Sequence, residues 1–316
     1  MVGPVEAGSS PGLSEPHLDT PQLPEARSRG DACDFARRRT GVAVVQSQMN
    51  RRLQQIQDHR PRGSGMELPE RGLGTMGIDD PDPIETAIEL GYRHLDTAQI
   101  YDNEAVVGEG IARAAVDRDD LVVATKLWID QLDRVAESTA ESLERLGLEC
   151  VDLLYVHRPK GAYDPDQTLP ALADLQDAGV IDAIAVSNFE LADLERFIDV
   201  LGEPPAANQV EYHPLFQPTD RLAHARKHDY PLVAYSPLSG GRVGTIEPVV
   251  DVAKRHAITP EQASLAWLTA KGIHPIPKAS SHGHLAANLE AIEVTLEAAD
   301  LEAIDGLERE RELFPE

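Results

Sequence analysis

Lysine is scarce in this chain. Only six lysines occur among 316 residues, none before position 66, and 29 basic residues face 54 acidic ones for a net charge of −25. So acidic a chain has little to offer nucleic acid or an anionic membrane, and neither is expected as a partner. Cysteine is nearly absent as well. Cys33 and Cys150 stand far apart, with no disulfide framework and no CxxC metal pair, which fits a reducing, cytoplasmic compartment. No apolar run approaches the roughly 18 residues of a membrane span. Arg37-Arg38-Arg39-Thr40 faintly resembles a twin-arginine signal. The Gly41–Val45 run behind it is shorter than the about 7–15 residues an export signal needs, so export is rejected.

The charge is unevenly placed. Residues 1–65 hold nine arginines and seven acids, whereas residues 66–316 hold twenty bases and forty-seven acids. The first segment has scattered Pro, Gly, Ser and Arg and no sustained periodicity, so it is expected to be disordered. It reads as upstream sequence translated before a true start at Met66, or as a genuine tail. The carboxylate-rich, Lys-poor remainder reads as adaptation to high salt, where screening weakens self-repulsion. An ordinary acidic cytosolic enzyme is the alternative.

From Met66 the chain alternates apolar strands with amphipathic helices. Strands are expected at Arg71–Thr75, Arg93–Asp96, Leu121–Lys126, Val151–His157, Ile181–Ser187, Ala207–Glu211, Leu232–Tyr235 and His274–Pro277. Helices are expected at Pro83–Leu90, Glu104–Ala114, Leu132–Leu146, Leu169–Ala178, Leu191–Leu201, Thr219–Lys227, Pro248–His256 and Pro260–Ala270. Eight βα units over about 250 residues predict an α/β fold, the (β/α)8 TIM barrel, across residues 66–316. In such a barrel, function gathers at the C-terminal ends of the strands.

Three successive strand ends there carry Asp96, Lys126 and His157, with Tyr101 in the loop after the first. An Asp–Lys pair can hold a tyrosine's pKa down, and a histidine can orient the group the tyrosine protonates. That equipment suits carbonyl reduction. Each residue alone has a plainer reading: a structural ion pair, a satisfied core histidine, a packed ring. Gly72-Leu73-Gly74-Thr75-Met76-Gly77 matches GxGxxG, but no buried strand precedes it and no helix opens straight after it. A Rossmann phosphate loop is therefore not expected. The glycines are expected to let the first strand approach the site closely.

The ordered motifs GLGTM, GYRHLDTAQIYDNE, VVATKLW, VDLLYVHRP, AVSNFE, NQVEYHP, VAYSPLSGG and IPKASS resemble the aldo-keto reductase superfamily across residues 66–316. DTAQIYDNEA is most similar to the bacterial 2,5-diketo-gluconate and methylglyoxal reductases. The resemblance implies an NADPH-dependent carbonyl reductase without a metal, in which Tyr101 is the general acid, Lys126 and Asp96 tune it and His157 orients the carbonyl. It further implies that Ser187, Asn188 and Gln209 hold the carboxamide and that Tyr235 stacks on the nicotinamide. Ser236, Leu238 and Ser239 would line the pyrophosphate, Lys278 the 2′-phosphate end, and Asn288 the adenine side.

The chain also departs from the family pattern. Ala279, His284 and Ala287 stand where Ser, Arg and Glu are common, which leaves NADH as an alternative cofactor. Arg158 replaces a common Trp after the catalytic His, and Met76 a common aromatic, while Trp128 remains as a pocket wall. A small carbonyl substrate and a monomer are expected. Two rival readings are a Schiff-base aldolase using Lys126 and a cofactor-binding regulatory subunit of the same fold.

Overall fold

The computed structural model describes residues 68–307 and Leu313. The expected N-terminal extension, residues 1–65, lies outside the described residues. The strands are β1 (Leu73–Gly74), β2 (His94–Asp96), β3 (Val122–Leu127), β4 (Val151–Val156), β5 (Ile181–Ser187), β6 (Asn208–Glu211), β7 (Leu232–Tyr235) and β8 (Ile273–Pro275). They form one parallel sheet in strict sequence order. Among the described residues ten α-helices accompany it. These are α1 (Asp82–Leu90), α2 (Glu104–Arg113), α3 (Val135–Leu146), α4 (Pro165–Asp177), α5 (Leu191–Leu201), α6 (Thr219–His228), α7 (Glu247–His256), α8 (Pro260–Ala270), α9 (His282–Glu290) and α10 (Ala298–Asp305).

The strands read as apolar runs because both faces are covered. Side chains alternate between two packed layers. Leu153 and Tyr155 of β4 join Ala124, Ala183, Ala185, Ala207, Val233 and Ile276 on one face. Leu154 and Val156 join the larger layer shared with the helices, where Ile84, Val107, Phe197, Leu222 and Trp267 lie. The sheet curls until its first segment meets its last: Gly72 N donates to Pro275 O at 3.1 Å and Gly74 N to Pro277 O at 3.3 Å. A Cβ on Gly72 would stand 2.6 Å from His94 Nδ1, and one on Gly74 2.7 Å from Ile276 O. These glycines therefore serve strand-to-strand approach, and no helix follows them until Asp82.

Arg71, just before β1, is almost fully buried and donates to Asn288 O at 2.7 Å and to Thr269 Oγ1 at 2.8 Å. Burial lowers its pKa to about 10. It fastens the entry of the sheet to α8 and α9.

Most expected elements sit within a few residues of their predicted places. The differences have local causes. α3 begins at Val135 because Ile129–Gln131 form a 3-10 turn first. α4 begins four residues before the expected Leu169, since the Asp164 side chain accepts from Asp166 N and Pro165 fills the first helical position. α9 and α10 had no predicted counterpart. Ser281 caps α9 by accepting from His284 N, and a Glu297–Asp300 capping box opens α10.

His94 lies wholly inside the sheet, and neither ring nitrogen has a hydrogen-bond partner. Burial, the largest effect, lowers its pKa to about 4. The folded state thus refuses a proton that the unfolded chain accepts below about 6.5. Above that pH the group is neutral in both states and stability is unaffected. As pH falls from 6.5 towards 4, His94 removes about 1.4 kcal/mol per pH unit. His94→Asn should lessen the acid slope of unfolding free energy by about that amount, which denaturant melts at stepped pH will read. An unchanged slope would contradict the assignment.

Candidate active site

The catalytic candidates converge. Asp96 closes β2, Lys126 lies near the end of β3, His157 follows β4, and Tyr101 ends the short turn Gln99–Tyr101. Lys126 is completely buried, pairs with Asp96 Oδ1 and donates to Thr97 O at 2.9 Å. Its ammonium sits 5.2 Å from the centre of the Tyr101 ring. Tyr101 meets the imidazole of His157 edge-on at 6.0 Å, and Trp128 meets it at 5.1 Å from another side.

The electrostatics follow from this packing. Burial, the largest single influence, pushes the Lys126 pKa down, but the Asp96 carboxylate and the Tyr101 hydroxyl together outweigh it, and the net direction is upward. The lysine stays charged. Burial, then Lys126 and Arg158, lowers His157 to about 2. His157 is therefore a neutral imidazole at any ordinary pH and can donate an N–H to a carbonyl oxygen without competing for its proton. Tyr101 departs from expectation. Its pKa is raised, not lowered, because burial outweighs the opposing pull of Lys126. The phenol keeps its proton, and Lys126 limits how far burial can push it.

The Tyr101 turn is anchored from both sides by residues that the sequence reading did not single out. Gln99 Nε2 donates to Ser138 Oγ at 2.8 Å and Ser142 Oγ at 2.9 Å on α3, while its Oε1 accepts from Trp128 N at 2.9 Å. Asn103 Nδ2 donates to Thr75 O at 2.8 Å and Ile78 O at 3.0 Å, and its Oδ1 accepts from Thr97 Oγ1 at 2.8 Å. Both lie inside the same DTAQIYDNE run. Their polarity beside a buried strand end was the available signal, since buried amides need partners.

A second polar cluster adjoins the first. Ser187 and Gln209 stand in register on β5 and β6, and Ser187 Oγ donates to Gln209 O at 3.0 Å. Gln209 Nε2 donates to Asp96 Oδ2 at 2.7 Å, so the Asp96 carboxylate bridges Lys126 and Gln209. Asn188, at a left-handed φ of 60°, donates to His157 O at 3.1 Å and accepts from the Tyr235 hydroxyl at 3.0 Å. The loop after β7 follows, with Ser236 and Ser239 also left-handed at φ 51° and 53° and Leu238 between them. Ser239 Oγ is buried without a hydrogen-bond partner. An orphaned hydroxyl in a strained loop fits a polar ligand group such as a phosphate oxygen.

The remaining candidates are more dispersed. Lys278 is exposed beyond β8, and His284 is exposed on the first turn of α9, where its N–H donates to Ser281 Oγ at 3.3 Å. Asn288 is buried farther along α9, and its carbonyl accepts from Arg71. Lys278 and His284 thus lie before and on the first turn of α9, a helix end that favours anions. Met76 is exposed just after β1, Trp128 is half-buried against His157, and Arg158 is half-buried and near enough to lower the His157 pKa.

The aldo/keto reductase family model matches residues 78–309. The chain belongs to that family. Methylglyoxal reductase DkgB of Escherichia coli O157:H7 is 36% identical over 260 residues, covering 79% of this chain and 97% of the relative. Methylglyoxal reductase DkgA of Escherichia coli K12 is 34% identical over 258 residues, covering 80% and 94%. The crystal structure of MGS-M4, an aldo-keto reductase from a Medee basin deep-sea metagenome library, superposes with a TM-score of 0.76. It is 32% identical and spans 82% of this chain and 98% of that one. The motif resemblance to methylglyoxal reductases is borne out. This aldo/keto reductase is an NAD(P)H-dependent oxidoreductase that reduces carbonyl groups. No described helix is long and apolar enough to cross a membrane.

Proposed function

We propose that this aldo/keto reductase reduces small aldehydes, ketoses or dicarbonyls, keto-sugar acids among them, with NADPH as the preferred cofactor and Tyr101 as the general acid. The carrying observation is the Tyr101–Lys126–Asp96 line, buried and charged at one end, with a neutral His157 beside it. Bound NADPH would supply the hydride. The chain's own residues then handle the proton. His157 donates a hydrogen bond that orients the carbonyl oxygen, and the Tyr101 phenol gives its proton to that oxygen as charge develops there. Lys126 stabilises the phenolate left behind, while Asp96 and Gln209 keep the ammonium in place.

Ser187, Asn188 and Gln209 would take the carboxamide, Tyr235 the ring face, and Ser236, Leu238 and Ser239 the pyrophosphate. Lys278 and His284 would meet the 2′-phosphate and Asn288 the adenine side. Met76, Trp128 and Arg158 would line the substrate pocket, where a guanidinium favours substrates bearing a carboxylate. The reading extends to a closed (β/α)8 barrel over residues 66–316, working as a cytoplasmic monomer in high salt.

The test is cofactor consumption in concentrated salt with methylglyoxal, a keto-sugar acid and a neutral aldehyde, each with NADPH and NADH. Turnover of the dicarbonyl and a modest preference for NADPH are expected, because His284 is a weaker phosphate partner than an arginine. A charged hydrogen bond is worth about 1.5–3 kcal/mol, so His284→Arg should raise the NADPH/NADH ratio of kcat/KM by about tenfold or more. An unchanged ratio would move the phosphate away from position 284.

A further inference from the structure

Glu195 on α5 and His224 and His228 on α6 bring their ligand atoms within 4.8 Å of one another. No step of carbonyl reduction uses them. The two histidines are four residues apart, so one face of α6 carries both. Their rings stack at 4.3 Å. The His224 side chain is 6% exposed, and its Nε2 is buried with no hydrogen-bond partner. Glu195 Oε1 stands 3.5 Å away. His228 Nε2 is likewise buried and unpartnered. Two adjacent buried nitrogens left unsatisfied are costly, and a shared ligand would satisfy both.

We propose that Glu195, His224 and His228 form a binding site for a divalent transition-metal ion, of which Zn²⁺ is the fitting example. Two imidazoles and a carboxylate make a borderline donor set that suits Zn²⁺, Co²⁺ or Ni²⁺ and gives Mg²⁺ or Ca²⁺ no advantage. His224 is already prepared for the role. Its Nδ1 lies 2.8 Å from the Tyr230 hydroxyl. With Nδ1–H donating to that oxygen, the lone pair sits on Nε2 and faces Glu195. Metal-bound histidines commonly have this second partner, which fixes the tautomer and the ring.

One of the three separations already fits, and the other two ligands have room to move. Bonds of about 2.0–2.1 Å in a tetrahedral site put ligand atoms about 3.3 Å apart. The Glu195–His224 separation of 3.5 Å is close to that. Glu195 is exposed and can swing, and His228, the last residue of α6, is half-buried beside a left-handed cap at Asp229. Arg221, one turn before His224, is paired with Glu190. Three protein ligands leave at least one position for water. The ion would clamp α5 to α6 on the helical side of the sheet, so its loss should leave turnover untouched.

The test uses the full chain without an affinity tag. Zn²⁺ is titrated against a chromophoric chelator, Co²⁺ absorption reports the coordination, and melting temperature is read with and without Zn²⁺. One equivalent per chain is expected, with a rise in melting temperature. In His228→Ala and Glu195→Gln that equivalent should bind at least tenfold more weakly and the thermal gain should vanish. Methylglyoxal reduction without added metal should match the wild type in both variants. Absence of a bound equivalent in the wild type overturns the proposal. So does an affinity unchanged in both variants.

Discussion

Tyr101→Phe is expected to lose roughly 10²–10⁴-fold in kcat, the usual share of general acid catalysis, while cofactor affinity stays near that of the wild type. The substitution removes one hydroxyl and keeps the ring, so the edge contact with His157 survives. What is lost is the proton donor closest to the Lys126 ammonium. No other phenol can take its place: Tyr155 lies beside the same lysine, 5.7 Å from its ammonium, but it is wholly buried and burial drives its pKa far up. The measurement is steady-state turnover of a small dicarbonyl, with cofactor binding followed separately by fluorescence. A variant within threefold of wild type in kcat would remove Tyr101 from the chemistry.

Asp96→Asn should damage stability and rate together. Lys126 has no exposure at all, and Asp96 is the carboxylate that keeps it charged. Removing one partner of a buried pair costs about 3–5 kcal/mol, because the other charge is stranded. For a domain of this size, that is a fall of about 6–20 °C in melting temperature. With the carboxylate gone, burial, already the largest influence on Lys126, is opposed only by Tyr101 and pushes the pKa down. A neutral amine no longer stabilises phenolate, so kcat should fall with the melting temperature. Asp96→Asn combined with Lys126→Met removes both charges. That double variant should recover much of the lost melting temperature and none of the turnover. Calorimetry and cofactor consumption separate the two effects. An Asp96→Asn protein as stable as wild type would show that the pair does not carry the charge balance of the site.

Fold and site were legible to different depths. β4 and β5 announced themselves because a strand buried on both faces is a continuous apolar run bounded by turns. α9 did not, since His282, Gly283 and His284 open it with no apolar stripe, and only the Ser281 cap marks its start. The candidate catalytic residues were visible because strand ends are where a barrel places function and because Asp96 and Tyr101 share one short motif. The link from Gln209 to Asp96 was not, because it joins residues 113 apart through side chains that only the curled sheet brings together. Asn103 stood in plain view inside the same motif, yet two of its three hydrogen bonds depend on the backbone of Thr75 and Ile78, 25 or more residues earlier. The direction of the Tyr101 pKa was misread for a related reason. Sequence placed the lysine that lowers it, but the depth of burial that raises it is a property of the packed fold.

The central claim is that these strand ends move a hydride and a proton onto a carbonyl. It is tested most directly by the stoichiometry of the wild-type chain acting on methylglyoxal in concentrated salt, with NADPH and product measured together. The account predicts one NADPH oxidised for each carbonyl converted to an alcohol, with no turnover when the cofactor is left out. Carbonyl consumed without NADPH, and trapped on Lys126 by borohydride, would instead make the site an aldolase. NADPH bound but never oxidised across the substrate panel would make the chain a binding subunit, and either result would contradict the account.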